Sequence, residues 1–292
     1  MRRSTGDLHN ASVTDSVAEQ DHEHVYDVDP EVEAAWRAVL NGDLGQLRYI
    51  RAVMGRIPSG PRCKLCLSPL KPPGSVLLKV LGFGPTKLNR RLCRACFRSL
   101  DKRPGGAEIE LSLMFADVRG STSLAEHMQP QEFSRLISRF YGTAARVVDE
   151  WDGIVDKFVG DEAVALFVPG FAGQEHASRA VEAARSLLRE TGNDGSEPWV
   201  PIGIGVHTGI AYVGRVGEGD ACDFTAVGDA VNTAARLASS AGAGEALVSK
   251  AAVDASMLDA SGLESRTLTL RGKDEMIDAL VLAASSGRRE AV

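Results

Sequence analysis

The sequence IELSLMFADVRGST occupies residues 109–122 and combines a mainly apolar run, an aspartate at its end and a loop of small residues. Such a run, bounded by turn residues, predicts a buried strand that ends at Asp117. A second stretch, KFVGDEAVALF at residues 157–167, turns at Asp161 between two short apolar runs. We therefore expect two strands around this turn and two carboxylates, Asp117 and Asp161, at neighbouring strand ends.

Carboxylates at neighbouring strand ends supply the oxygen ligands that Mg²⁺ and Mn²⁺ prefer. Beside them lies a loop formed by Val118, Arg119, Gly120, Ser121 and Thr122. Its backbone N–H groups can bind phosphates, and two metal ions held there would activate an attacking hydroxyl and neutralise a triphosphate. Each aspartate alone is equally consistent with a turn residue. Together they favour metal-assisted phosphoryl chemistry on a nucleotide.

Hydrophobic periodicity predicts the remaining elements. Amphipathic helices are expected over 130–151 and 174–190, and a third from about 229 to 240. Strands are expected near 109–117, 153–159, 162–168, 200–207, 210–216, 246–249, 263–270 and 276–283, with a turn at residues 208–209.

Residues 30–57 carry apolar side chains at the three-to-four spacing of a helix. Asp29 suits the N-cap and Pro30 the first helical position. The sequence Asn-Gly-Asp at residues 41–43 predicts a break into two helices. This apolar stripe must pack either on the rest of the chain or on a second copy, and we expect it to help set subunit geometry.

The chain has 292 residues and is 44% hydrophobic, which is ordinary for a globular protein. It contains no apolar run near the ~20 residues that span a bilayer and no secretory signal, so we expect a cytoplasmic protein without a membrane segment. The predicted organisation is a disordered acidic tail (1–28), a helical segment with a dimerisation role (29–60), a four-cysteine module (61–103), a linker (104–108), a catalytic domain (109–285) and a tail (286–292).

Charge is distributed unevenly along the chain. Residues 62–103 carry 11 basic and 1 acidic side chains, whereas residues 104–292 carry 16 basic and 28 acidic ones. The basic segment is suited to phosphates, nucleic acid or an acidic protein surface. Docking on the acidic remainder of the same chain explains it equally well.

Two CxxC pairs, Cys63 with Cys66 and Cys93 with Cys96, lie 26 residues apart. Each pair can direct two thiolates at one ion, and Zn²⁺ favours four such ligands in a small zinc-ribbon-like module. An iron–sulfur cluster and a redox dithiol pair remain alternatives. The metal would supply much of the folding energy of so short a segment.

Two helical residues, Asn232 and Arg236, are four apart and share a helix face. An arginine beside an amide is a plausible clamp for a phosphate in its transition state, although an ordinary polar helix face has the same pattern. Lys157 is consistent both with a solvated lysine and with a hydrogen-bond donor to a base.

Residues from about 108 to 285 resemble the class III adenylate/guanylate cyclase catalytic domain. The matching stretches are 115–122, 157–167, 203–214 and 224–237. The resemblance implies an α+β, ferredoxin-like βαββαβ core that works as a homodimer. It also implies conversion of a nucleoside triphosphate to the 3′,5′-cyclic monophosphate and pyrophosphate at the subunit interface.

The resemblance also implies the roles of individual residues. Asp117 and Asp161, helped by the Val118 carbonyl, would hold two Mg²⁺ or Mn²⁺ ions. Asn232 would orient the ribose, and Arg236 would stabilise charge on the α-phosphate. These two groups of residues come from opposite subunits in the family, so a homodimer of this chain could form two complete sites.

The residues that would contact the base are Lys157 and Thr225. Many adenylate cyclases carry aspartate at the position of Thr225, and the Lys/Thr combination resembles a subgroup in which stimulation by bicarbonate is common. Threonine can accept from the adenine amino group while lysine donates to a ring nitrogen, so ATP is favoured over GTP. The alternatives are a guanylate cyclase, or a catalytically silent nucleotide-sensing dimer whose basic cysteine module binds nucleic acid.

Overall fold

A computed structural model describes the chain at residues 29–43, 49–50, 53–54, 56–57, 62–63, 65–85, 92–101, 105–194, 197–218, 221–269 and 276–283. The predicted tails at 1–28 and 286–292 lie outside the described residues. Among the described helices, none combines the length and the apolar character that crossing a bilayer requires.

The helices are α1 (Pro30–Asn41), α2 (Gly74–Val80), α3 (Arg94–Asp101), α4 (Ser121–His127), α5 (Pro130–Glu150), α6 (Pro169–Ala172), α7 (His176–Glu190), α8 (Asp229–Ser240) and α9 (Lys250–Ser256). The strands are β1 (Gly106–Val118), β2 (Ile154–Val159), β3 (Glu162–Phe167), β4 (Ile202–Glu218), β5 (Ala221–Val227), β6 (Glu245–Ser249), β7 (Glu264–Thr269) and β8 (Met276–Ala283).

The strands form one sheet in the order β2-β3-β1-β4-β6-β8-β7, with β5 paired to the second half of β4. In chain order β1, α5, β2, β3, α7 and β4 make a βαββαβ unit, and its four strands are antiparallel neighbours. The register pairs Asp117 with Glu162 on β3 and with Gly203 on β4. This order confirms the predicted ferredoxin-like α+β core and makes β1 an interior strand, paired on one side with β3 and on the other with β4.

Successive side chains of β1 point to opposite sides of the sheet, and both sides are covered by other parts of the chain. Met114 packs with Phe140 of α5 in the core on one face. Leu113 belongs to the core on the other face, which also contains Trp36 of α1 and Ala234 of α8. A strand buried on both sides gives a nearly continuous apolar run rather than an alternating one, which explains the sequence of β1.

Helix α8 lies unusually close to β4 at Gly205. A Cβ atom added to Gly205 would lie 2.3 Å from the Ala238 nitrogen and 2.4 Å from the Ala234 carbonyl oxygen. Glycine is therefore required here, since any side chain would push α8 away from the sheet. This contact sets the position of the helix that carries Asn232 and Arg236.

Helix α1 forms as predicted and packs on its own chain. The Asp29 side chain accepts a hydrogen bond from the Glu31 N–H at 3.0 Å, and Gly42 ends the helix in the left-handed conformation at φ 79°. Trp36 and Leu40 are buried in the core beside β1. The apolar stripe of α1 is thus covered by the sheet of the same chain, while a dimerisation role for residues 29–60 stays a prediction.

Most of the predicted elements are confirmed, but the strand prediction around residue 208 is wrong. Residues 200–207 and 210–216 were expected as two strands joined by a turn, whereas β4 runs unbroken from 202 to 218. Thr208 and Gly209 pair with Ser112 and Leu111 of β1. The long register with β1 overrides the local turn preference of the Thr-Gly sequence. Strand β5 and the short helices α2, α3, α4, α6 and α9 were not predicted.

Candidate active site and candidate metal centre

The two aspartates predicted as metal ligands lie side by side. Asp117 is near the end of β1, and Asp161 lies in the turn between β2 and β3, beside Gly160 at φ 61°. The Val118 N–H donates to the Asp161 carbonyl oxygen at 3.3 Å, which joins the end of β1 to this turn. The Asp117 side chain is 28% exposed, so the pair is accessible to an ion from solvent.

A third carboxylate, Glu162, lies across the strand pair from Asp117 and was missed by sequence reasoning. Burial raises the pKa of Asp117 to about 6, against the effect of the Arg119 guanidinium and with a further rise from Asp161. Burial also raises the pKa of Glu162 to about 7, and repulsion from Asp117 and Asp161 adds to it. Like charges held this close favour either protonation or a bound cation.

The loop after β1 is shaped by Gly120, which adopts the left-handed conformation at φ 69° and begins α4. The side chain of Arg119 does not point away into solvent. It forms an ion pair with the Asp117 carboxylate and donates to the Ser239 and Ala241 carbonyl oxygens at 3.3 and 3.4 Å. Arg119 therefore links the metal-ligand candidate Asp117 to the C-terminal end of α8.

A cleft of about 460 Å³ opens beside this loop and the Asp161 turn. Its lining includes Ser121, Thr122 and Asp161. Tyr141 of α5 donates to the Gly160 carbonyl oxygen and stacks on Phe158, with ring centroids 4.1 Å apart. These contacts hold the turn that carries Asp161 against α5.

Lys157 and Thr225 meet at one carboxylate, that of Asp156, which sequence reasoning did not single out. The Thr225 hydroxyl donates to Asp156 Oδ2 at 2.8 Å. The Lys157 ammonium lies 3.4 Å from the same oxygen. Burial raises the pKa of Asp156, and the hydroxyl and the ammonium oppose that rise. The sheet thus brings together two residues that are 68 positions apart in the chain.

Asn232 and Arg236 lie on one face of α8, as predicted. Asn232 is exposed and Arg236 is partly exposed. Within the described part of the chain, no hydrogen bond or ion pair engages the side-chain amide of Asn232 or the Arg236 guanidinium, although the Asn232 backbone N–H donates to the Gly228 carbonyl oxygen at 3.4 Å. Among the described residues, no hydrogen bond or ion pair joins the side chain of Asn232 or Arg236 to Asp117 or Asp161. The same is true of the side chains of Lys157 and Thr225. The candidate site in one chain therefore consists of two parts without direct side-chain contact. One part contains the two aspartates, and the other contains Lys157, Thr225, Asn232 and Arg236.

The four predicted cysteine ligands converge on one point. Their sulfur atoms all lie within 4.8 Å of one another, and those of Cys66 and Cys93 are 3.7 Å apart. The Cys93 N–H donates to Cys63 Sγ at 3.2 Å, and the Cys96 N–H donates to Cys93 Sγ at 3.4 Å. All four cysteines are free thiols rather than disulfides.

The four thiols lie close enough to change one another's proton affinity. Hydrogen bonding from the Cys63 thiol lowers the pKa of Cys66 to about 7. Hydrogen bonds with the neighbouring cysteine side chains raise the pKa of Cys63 and of Cys96. Tetrahedral zinc–sulfur bonds of about 2.3 Å place sulfur atoms about 3.8 Å apart. The observed separation of 3.7 Å between Cys66 and Cys93 fits that geometry. The sulfurs of an iron–sulfur cluster lie farther apart, because the cluster itself separates them.

The N-terminal segment contacts β5, the strand that carries Thr225. Trp36 of α1 stacks on Phe224 of β5, with ring centroids 5.8 Å apart and an interplanar angle of 19°. Phe224 immediately precedes Thr225. In the cysteine module, the Arg62 guanidinium donates to the Met54 and Ile57 carbonyl oxygens at 2.8 and 2.6 Å. The module is therefore tied to the segment that follows α1.

Comparison with known proteins gives a consistent result. The family model for the adenylate and guanylate cyclase catalytic domain matches residues 107–282. The chain is 35% identical over 133 residues to an adenylate cyclase of Anabaena cylindrica, covering 44% of this chain and 26% of that protein. The matches span about a fifth to a third of the length of these curated relatives, with 26% and 35% in two cases and 20% for adenylate cyclase 1 of Rhizobium meliloti.

Two solved structures share the fold. The guanylyl cyclase Cya2 is 28% identical, with a TM-score of 0.55, and the match covers 61% of this chain and 93% of that one. The adenylyl cyclase CyaB from P. aeruginosa is 24% identical, with a TM-score of 0.55, over 64% of this chain and 99% of that one. One of these proteins is a guanylyl and the other an adenylyl cyclase, so the likeness alone leaves the base open.

Proposed function

The chain belongs to the adenylate and guanylate cyclase catalytic domain family, and on that premise we propose that it is an adenylate cyclase. It converts ATP to 3′,5′-cyclic AMP and pyrophosphate. The observation that carries this proposal is the pairing of Lys157 with Thr225 at one carboxylate. A lysine that donates beside a hydroxyl that accepts matches the ring nitrogen and the amino group of adenine.

The chain's own residues divide the work of the reaction. The ribose 3′-hydroxyl gives its proton to water as its oxygen forms a bond to the α-phosphorus, and the bond from that phosphorus to the pyrophosphate oxygen breaks. Asn232 orients the ribose, and Arg236 stabilises the charge that develops on the α-phosphoryl oxygens. Backbone N–H groups of the Val118–Thr122 loop bind the triphosphate. Within the described chain the side chains of Asn232 and Arg236 have no hydrogen-bond partner, which supports roles in binding substrate.

Asp117 and Asp161 suit two Mg²⁺ or Mn²⁺ ions, because they present carboxylate oxygens close together with raised proton affinity at Asp117. When bound, such ions activate the attacking hydroxyl and neutralise the triphosphate. Asp117 and Asp161 hold the ions, with help from the Val118 carbonyl oxygen.

A homodimer completes the site. Within the described part of one chain, no hydrogen bond or ion pair joins the side chain of Asp117 or Asp161 directly to those of Lys157, Thr225, Asn232 or Arg236. Two copies that associate head to tail would bring the carboxylates of one protomer to the other half of its partner. One chain carries both halves, so a homodimer forms two equivalent sites.

The cysteine centre binds Zn²⁺ in this proposal and has a structural role. Its support is the fit of the sulfur separation to a single tetrahedral ion. Elemental analysis of the purified chain should find one zinc per chain. Iron with acid-labile sulfide would identify a cluster instead, and absence of both would favour a redox dithiol pair.

The test of the activity uses the purified full chain with ATP or GTP and either Mg²⁺ or Mn²⁺, and it quantifies cyclic nucleotides by mass. Cyclic AMP with little cyclic GMP is expected. Asp117→Ala should abolish turnover without loss of fold, whereas Asp254→Ala, which removes an exposed carboxylate paired with Lys250, should not change turnover. Predominant cyclic GMP would make the chain a guanylate cyclase.

Absence of both products would favour a silent nucleotide-sensing dimer. For that outcome, salt-dependent binding of DNA or RNA by the basic residues 62–103 is the discriminating measurement. The Lys157–Thr225 pair also motivates an assay with and without bicarbonate at fixed pH. A rate that does not change would remove the bicarbonate hypothesis.

A further inference from the structure

A buried carboxylate, Asp156, lies beneath the two residues proposed to contact the base. It occupies an irregularity of β2, where the register with β3 shifts between Val155 and Lys157. Its side chain is 3% exposed. Burying a carboxylate is unfavourable unless hydrogen bonds or opposite charges compensate, so its retention here needs an explanation.

The contacts of Asp156 are specific to the base-contacting pair. Its Oδ2 atom accepts from the Thr225 hydroxyl at 2.8 Å and lies 3.4 Å from Lys157 Nζ. Its Oδ1 atom is buried and has no hydrogen-bond partner among the described residues. The carboxylate therefore contacts both residues through one oxygen.

The contact fixes the direction of the Thr225 hydroxyl. A hydroxyl has one proton to donate and two lone pairs that accept. Among the residues that the structure describes, the other acceptor in reach is the Ala226 carbonyl oxygen, which is 3.5 Å away, so the proton goes to Asp156. Thr225 then offers a ligand only lone pairs. Lys157 offers only N–H donors, because an ammonium has no acceptor.

We propose that Asp156 is a positioning residue that sets the base specificity of the active site by committing the Thr225 hydroxyl to accept. This inference rests on the proposed nucleotidyl cyclase function and deepens it. An acceptor beside a donor matches adenine, whose amino group donates and whose neighbouring ring nitrogen accepts. Guanine presents the opposite pattern, with a carbonyl oxygen that accepts and a ring N–H that donates.

Asp156→Asn is the decisive variant. The amide has nearly the same shape as the carboxyl group, but its NH₂ group can donate to Thr225 and release the threonine proton for a ligand. Thr225 could then donate to the guanine carbonyl oxygen. The ratio of kcat/KM for ATP to kcat/KM for GTP should fall by about 10- to 100-fold, chiefly through KM.

The matched control is Asp223→Asn. It makes the same chemical change on neighbouring β5, where an exposed carboxylate accepts from the Phe224 N–H at 2.8 Å, makes no hydrogen bond to Thr225 and acts on Asp156 only through its charge. The ATP/GTP ratio of this variant should equal that of the wild type. An equal shift in both variants would overturn the proposal, because the effect would then be one of general charge.

A cycle with Thr225→Val separates positioning from a structural effect. Thr225→Val removes the hydroxyl and should lower the ATP/GTP ratio, whereas Thr225→Ser should preserve it. If Asp156 acts through that hydroxyl, Asp156→Asn should change the ratio no further in the Thr225→Val background. A full additional effect there would overturn the proposal. Should Asp156→Asn not fold, an unchanged ratio in Thr225→Val would overturn it by itself.

The wild-type assay separates this inference from the function on which it rests. A wild type that forms no cyclic nucleotide overturns both. A wild type that prefers ATP, together with an Asp156→Asn variant of unchanged ATP/GTP ratio, overturns the role of Asp156 alone. A wild type that prefers ATP and a variant with the expected shift support both.

Discussion

Replacing Trp36 with alanine should destabilise the catalytic domain, because this side chain of α1 is part of the core around β1. Trp36 is 4% exposed, and its ring stacks on Phe224 with centroids 5.8 Å apart. Truncation of a buried tryptophan costs about 3–5 kcal/mol. In other proteins, a stacked aromatic pair adds about 0.5–1.5 kcal/mol to stability beyond the burial of the two rings.

The loss is large relative to the stability of a domain, which is roughly 5–15 kcal/mol. For a domain of this size, 3–5 kcal/mol corresponds to a fall in melting temperature of roughly 6–20 °C. If α1 detaches before the sheet unfolds, amide protons of residues 30–41 should exchange faster in Trp36→Ala than in the wild type. KM for ATP should rise as well, because Phe224 precedes Thr225 on β5.

Arg37→Ala is the matched control, since Arg37 lies on the same helix and forms an exposed ion pair with Glu33. Its loss should change stability by no more than about 0.5 kcal/mol. Thermal melting followed by circular dichroism, with hydrogen exchange, makes both measurements. A Trp36→Ala chain with wild-type melting temperature and wild-type protection of residues 30–41 would refute the packing of α1 on the sheet.

Three further predictions follow from the two centres. Cys63→Ser should lower bound zinc from one per chain to near zero and destabilise the cysteine module. Cys222→Ser, at the fifth cysteine, should retain the metal. Zinc retained in Cys63→Ser would exclude Cys63 as a ligand. Lys157→Ala should lower the preference for ATP without weakening Mn²⁺ binding, and an unchanged ATP/GTP ratio would count against its contact with the base. The metal-free chain should lose stability as pH rises from about 4 to about 7. Folding raises the pKa of Asp117 to about 6 and that of Glu162 to about 7, so the folded state holds these protons more tightly than the unfolded state does. The stability that these protons supply is lost as they dissociate. Denaturation at several pH values measures the free energy of unfolding, which should change less with pH in Glu162→Gln than in the wild type. The same pH dependence in both proteins would contradict the role of Glu162 in this loss of stability.

The elements with strong local signals were predictable. The helix over residues 229–240 and the strand over 276–283 lie where periodicity placed them. The N-cap Asp29 and the break at Gly42 were also correct, since capping and left-handed glycine depend on a few adjacent residues. These features are encoded within one or two turns of chain.

Elements that depend on distant partners were not predictable. The Thr208-Gly209 sequence favours a turn, yet both residues lie within β4 because β1 pairs with it continuously from residue 106 to 118. Strand β5 is stabilised by pairing with the second half of β4. In both cases the partner strand decides the conformation, and local propensity does not report it.

Residue order alone establishes the chemical groups available to this protein: two carboxylates beside turn glycines, a lysine, a threonine, an amide, an arginine and two CxxC pairs. Spacing was enough to group the cysteines, because each pair is local. Only the tertiary structure brings Asp156 to Thr225, 69 residues away, and aligns Glu162 with Asp117. The reason is physical: strand pairing and burial set these distances and proton affinities, and both arise from contacts between segments that are remote in the chain.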